Sequence, residues 1–186
     1  MTSPLRDVLG ADFMQLPPII REFHGAEPSV GFVSTVSVRY GNAVLQILSR
    51  WVGFPGSMRN AAMQMSIAAQ SDHEEWQRDF GGHILVSRLR ALPDGRHVAE
   101  RFGPVEVRMR PEVAQGGLDM PVVGLRVFGL PVPSAFIGPS GGTERVTREG
   151  ALAFEVTARA PLIGLVISYA GTLAPARAQA SNAETQ

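Results

Sequence analysis

The chain has no cysteine and no lysine. The first absence removes thiol catalysis and cysteine-ligated zinc and leaves the redox compartment undetermined. The second removes Schiff-base and P-loop lysine chemistry, so every basic side chain is an arginine. An excess of either charge is also missing: 17 basic and 17 acidic residues give a formal net charge of zero. That balance argues against a field able to hold a phosphate backbone or an anionic membrane, and no nucleic-acid partner is expected. No apolar run is long enough for a membrane span. The uncharged stretch 160–176 is interrupted by Pro161, Gly164 and Gly171 and reads as a buried strand. The first residues lack the basic and apolar regions of a secretory signal, which leaves a cytoplasmic location as the expectation.

What is present suits one domain. A chain of 186 residues buries about 70% of the surface its unfolded form exposes without a metal or disulfide staple. A single globular domain is expected over 1–173, with a disordered tail over 174–186, where hydrophobic content is low. Ser3, Pro4 and Gly10 read as the cap, first residue and stop of a short helix, and a second runs from Pro17-Pro18 to His24-Gly25. His24 is read as a last-turn donor to the helix's free carbonyls in preference to a catalytic base. A strand follows, with Phe32, Ser34, Val36, Val38 and Tyr40 on one side. Asn42, Gly53 and Pro55 bound a third helix, whose apolar residues Val44, Leu45, Ile47, Leu48, Trp51 and Val52 cover so much of its circumference that enclosure is expected.

From Met58 to Leu173 almost everything reads as strand and turn. Met63, Met65 and Ile67 alternate with polar or small neighbours. The segment HEEWQ at 73–77 is one ligand short of the zinc-protease signature: Gln77 stands where a second imidazole is needed, and the signature requires a helix. Period two fits better, placing Trp76, Arg78 and Phe80 on one face. A bulge at Gly81-Gly82 would then put Leu85, Ser87, Leu89 and Ala91 inside and release Arg88 and Arg90 to water. After the turn Leu92-Pro93-Asp94-Gly95, the return strand sets Val98, Glu100 and Phe102 inward, opposite Ala91, Leu89 and Ser87. An unpaired carboxylate on that face costs several kcal/mol. Glu100 therefore needs an ion-pair partner or a wet cavity. Loops at 115–119 and 138–144 join the later strands, and the second reads as a surface turn in preference to a phosphate cradle.

In order along the chain stand LPP (16–18), FHG (23–25), W-x-R-x-F-G-G (76–82), Ser87, E-x-x-G-P (100–104), G-L-P-x-P (129–133), F-x-V (154–156), Pro161, Gly164 and Y-x-G-x-L (169–173). This succession resembles the bacterial family called domain of unknown function 4166. The resemblance implies a module that occurs alone or appended to nucleotide-dependent oxidoreductases of the saccharopine dehydrogenase-like type. An oxidoreductase is thus a possible partner, but no catalytic residue is carried over. Asp119-Met120-Pro121 after Leu118 departs from the family pattern and leaves the strand there open.

The fold expected from these readings is α+β: a long, curved antiparallel sheet of about seven or eight strands wrapped around the apolar helix 43–52, with short N-terminal helices. The expected function is binding of a small apolar ligand in a helix-grip or lipocalin-like cavity, without catalysis or cofactor. Met63, Met65, Trp76, Phe80 and Phe102 would line the cavity, with Arg78, Ser87, Glu100 and Tyr169 as its polar groups. An enzyme using Glu100 as general base and a docking partner of an oxidoreductase are the alternatives.

Overall fold

The computed structural model describes residues 3–25 and 31–175. Helix α1 (Pro4–Leu9), a 3-10 segment (Gly10–Gln15) and α2 (Pro18–Gly25) precede β1 (Phe32–Tyr40), α3 (Ala43–Trp51), β2 (Met58–Ala69), β3 (Glu74–Asp79) and β4 (Ile84–Ala91). There follow β5 (Val98–Phe102), β6 (Val105–Met109), β7 (Glu112–Ala114), β8 (Gly117–Val127), β9 (Leu130–Pro131), β10 (Gly141–Val146), β11 (Leu152–Ala160) and β12 (Gly164–Pro175). Local chemistry accounts for the boundaries. Pro4 opens α1, Asn42 Oδ1 accepts the Leu45 amide at 3.0 Å to cap α3, and Gly53 takes the positive φ that ends it. At Gly41 a Cβ would collide with the Leu165 carbonyl, so only glycine lets the chain leave β1 this close to β12.

Strands β1 to β6, β8 and β10 to β12 pair antiparallel with their neighbours in sequence, and β12 pairs back onto β1 from Phe32↔Pro175 to Tyr40↔Ile167. The result is a closed barrel of ten strands, β7 and β9 being short additions on β8. Closure leaves no long unpaired edge among the described residues. Because the strands alternate in direction, β1, β3, β5, β8 and β11 all end at the rim that carries α3. The N-terminal helices cover the opposite rim, α1 against β4 and β5 and α2 against β10. There Leu5, Phe13, Leu16, Ile20 and Phe23 are buried and join the inward residues of the strands in one core.

The expected wrapped sheet is overturned. The sheet closes on itself, and its interior is occupied by inward side chains rather than by α3. Helix α3 lies outside on β1 and β12 with no buried residue, and Trp51 is 83% exposed. The apolar sequence of α3 does not enclose it.

Smaller differences have similar local causes. Gly81 and Gly82, both at positive φ, form a hairpin turn between β3 and β4 in place of a bulge within one strand. The parity inference survives because the turn, like a bulge, resets the inner face: Ser87 is 1% exposed and Arg88 points to solvent. The segment expected as the turn 138–144 contains most of β10, and the doubtful Asp119-Met120-Pro121 lies within β8. Ala174 and Pro175, assigned to the tail, end β12, while 176–186 lies outside the described residues.

Candidate functional site

Inside the barrel is a cavity of about 290 Å³. It runs from Phe23 of α2 at the helix-covered rim to Ser49, Val52 and Phe54 beneath and beyond α3 at the other. Parity positions the wall. Met63 and Met65 project from β2, Trp76 and Arg78 from β3, Glu100 and Phe102 from β5, and Tyr169 from β12. Seven of the nine residues expected at the site line it: Met63, Met65, Trp76, Arg78, Glu100, Phe102 and Tyr169. Ser87 and Phe80 do not. Ser87 sits behind the wall, and Phe80 is half-buried in the β3–β4 turn, packed against the core.

One polar cluster dominates the interior. Arg78 Nη2 lies 2.9 Å from Glu100 Oε1, Arg78 Nη1 donates to Ser87 Oγ at 2.8 Å, and Ser87 donates to the same carboxylate oxygen at 2.6 Å. Arg78 and Glu100 are on strands separated by β4, roughly 9–10 Å apart. Their meeting depends on the residue between them. Serine at 87 is small enough for the arginine to pass and polar enough to bond both partners.

The guanidinium is further held between Trp76 and Phe102, with its carbon 5.3 and 5.8 Å from the ring centroids. Burial alone would lower the Arg78 pKa, but Glu100 and Tyr169 outweigh it and the net shift is upward, so the cation is kept. Burial pushes the Tyr169 phenol up to about 12, against the opposing pull of Arg78. The cluster therefore presents a paired charge and a neutral phenol, with apolar rings and methionines around them.

A second cluster, absent from the sequence reading, lies toward the helix-covered rim. His24 Nε2 and Glu144 Oε2 are 2.8 Å apart, both side chains almost fully buried. Trp76 Nε1 donates to the buried Glu74 at 2.9 Å. Burial raises the Glu74 pKa, with the hydrogen bond from Trp76 acting the other way. His24 thus faces a carboxylate on β10 and not the carbonyls of its own helix. Parity could have found both glutamates: Glu74 shares its face with Trp76 and Arg78, and Glu144 shares its face with the buried Gly142. Reading 138–144 as a turn removed the second.

The segment around His73 is a strand from Glu74, and His73 bonds its neighbour Asp72 at 2.7 Å. The helical geometry required by the zinc signature is not formed. No helix among the described residues is long and apolar enough to cross a membrane. A comparison with curated proteins finds no match to this chain. A family model does match: the one described as Domain of unknown function (DUF4166) covers residues 16–173, most of the chain, and the protein belongs to that family.

Proposed function

We propose that the barrel binds a small, largely apolar molecule in its interior without transforming it. The Arg78–Ser87–Glu100 cluster and Tyr169 would orient one polar end of the ligand. The observation that carries this reading is the cavity itself: its wall is built mainly of Met, Phe, Val, Leu and Ile side chains, interrupted by few polar groups. Such an arrangement favours an apolar body with one or two hydrogen-bonding atoms. Met63, Met65, Met109 and Met120 on the wall can adapt to irregular shapes. Glu100 serves here as the partner that allows a buried arginine, since its Oε1 already accepts from Arg78 and Ser87.

Native mass spectrometry of freshly purified protein tests the reading, together with titration by N-phenylnaphthylamine, a neutral apolar probe. Gly142 lines the cavity, and a Cβ there would make ordinary contact with Met120 Cε at 3.4 Å. Gly142→Leu should therefore fill the cavity without breaking the strand. Saturable binding of the probe that Gly142→Leu weakens by at least about tenfold supports the carrier. Equal binding by both proteins contradicts it.

A further inference from the structure

The rim at α3 differs from an ordinary protein surface in three ways. First, α3 is inside out. Val44, Ile47, Leu48 and Trp51, at the i, i+3, i+4 and i+7 positions of one stripe, are all exposed, while Gln46 and Ser49 are partly covered. Second, neighbouring turns at the same rim also raise apolar side chains into solvent. Phe128 and Leu162 are 81% and fully exposed, and Leu130 and Ile163 stand beside them. Phe128 and Leu162 both have positive φ, at 51° and 65°. A bulky side chain is disfavoured in that conformation, and glycine or asparagine would be the relaxed choice. Third, the rim segments 41–42, 53–57, 80–83, 103–104, 128–140 and 161–163 contain no aspartate, glutamate or arginine.

Just below this uncharged crown is a collar of arginines. Arg39, Arg59, Arg101, Arg126 and Arg159 each stand one residue from the α3-side end of their strand, and Arg50 is on α3. All but the half-buried Arg126 are exposed. The carboxylates at the same level are Asp79, whose Oδ1 accepts the Gly82 amide, and Glu106, which is paired with Arg90 and Arg108. The formal net charge of zero conceals this asymmetry: the collar is positive, and acidic residues collect toward the other rim.

We propose that the α3 rim docks on the surface of an anionic lipid bilayer. Apolar tips would enter the headgroup boundary and the arginine collar would meet lipid phosphates. Beneath α3 lies the cavity, so docking would place it against a source of apolar molecules. That consequence rests on the carrier reading; the docking does not. Charge argues against a second copy as the occupant, because a two-fold dimer would bring the collars together. The apolar residues stand on separate turns around a rim, a shape suited to a broad fluid surface more than to a single peptide.

Vesicle flotation with the intact protein tests the proposal, comparing phosphatidylglycerol-rich with pure phosphatidylcholine vesicles. The double variant Phe128→Asp/Leu162→Asp is the control. Neither residue lines the cavity, and aspartate tolerates positive φ better than phenylalanine or leucine, so the fold is kept. The anionic vesicles should bind at least about tenfold more tightly than the neutral ones, with salt weakening the interaction and the double variant losing at least about tenfold. Trp51 emission should shift to the blue on binding. Gly142→Leu should bind vesicles like the wild type while losing the naphthylamine probe, which separates failure of the cavity from failure of the rim. The proposal is overturned by no binding, by equal binding to both vesicle types, or by full binding of the double variant. It is equally overturned if Trp51 is masked by dimerisation or by a protein partner in place of lipid.

Discussion

Helices α2 and α3 are of similar length and both carry an apolar stripe, yet they have opposite fates at opposite rims. The stripe of α2 enters the barrel, where Ile20 and Phe23 are almost fully buried and Phe23 meets Phe32 and Trp76 edge to face at 4.9 and 5.5 Å. The stripe of α3 faces water. Apolar sequence therefore does two jobs here: at one rim it closes the core, and at the other it forms a surface next to the cavity. The connections show the same contrast. Those at the α2 rim carry Asp72, Asp94, Arg96, Glu112, Arg148 and Glu149, as solvated turns usually do, whereas those at the α3 rim have no acidic residue and, apart from Arg50 on α3, no arginine.

Stability measurements break or sharpen this comparison. Phe23→Ala should cost about 3–5 kcal/mol in urea unfolding, whereas Leu48→Ala and Trp51→Ala should each stay within about 0.5 kcal/mol. Comparable losses at both rims would mean that α3 is packed, contrary to its exposure.

The next effect belongs to the interior between the rims. Glu100→Gln leaves the almost fully buried Arg78 without its counter-charge and should cost about 3 kcal/mol or more; Arg78→Met in the same chain should recover most of the loss. A loss that persists in the double variant would show that shape, not charge, is at stake.

Much of this was legible in the sequence, and the limits have physical causes. Alternation in 59–69, 74–79 and 84–102 fixed the inner face of four strands and with it one side of the cavity wall, from Met63 to Phe102, because period two is strict wherever one face is buried. Pairing of Leu89 with Glu100 and of Ala91 with Val98 followed from the turn at 92–95. Barrel closure was not legible, since β12 meets β1 across more than a hundred residues and nothing local marks the pairing. The stripe on α3 carries no information about which side it faces. Pro139 just before β10 and the two glycines that open it imitate a turn, which hides the inward Glu144.

Alkaline titration gives a smaller effect at the two phenols. Burial raises Tyr40, whose hydroxyl donates to the Pro55 carbonyl behind α3, and Tyr169 from 10.0 to about 12. These are the only tyrosines. Folding favours the neutral phenols, so their contribution is complete below pH 10 and is lost as the pH rises toward about 12. Phenolate absorbance should stay low in the folded protein at pH 10 and appear as it unfolds. Half-ionised phenol at pH 10 in folded protein would show that water reaches both rings.

The smallest effect is expected at Glu74. Its raised pKa means that its neutral form favours the fold below the ordinary carboxylate range, and that this contribution is lost as the pH rises through the raised value. At neutral pH, Glu74→Gln should therefore be neutral or slightly stabilising, within about 1 kcal/mol, the opposite sense to Glu100→Gln. A large loss would assign Glu74 an ionic partner at the α2 rim.

The most direct measurement of the cavity as a binding site uses its own tryptophan. In Trp51→Phe, Trp76 is the sole tryptophan and lies on the wall. Energy transfer from Trp76 to bound N-phenylnaphthylamine should saturate at one probe per chain and weaken at least about tenfold in Trp51→Phe/Gly142→Leu, with the melting temperature changed by only a few degrees. Transfer that fails to saturate, or that survives Gly142→Leu undiminished, would place the probe outside the barrel and contradict the account.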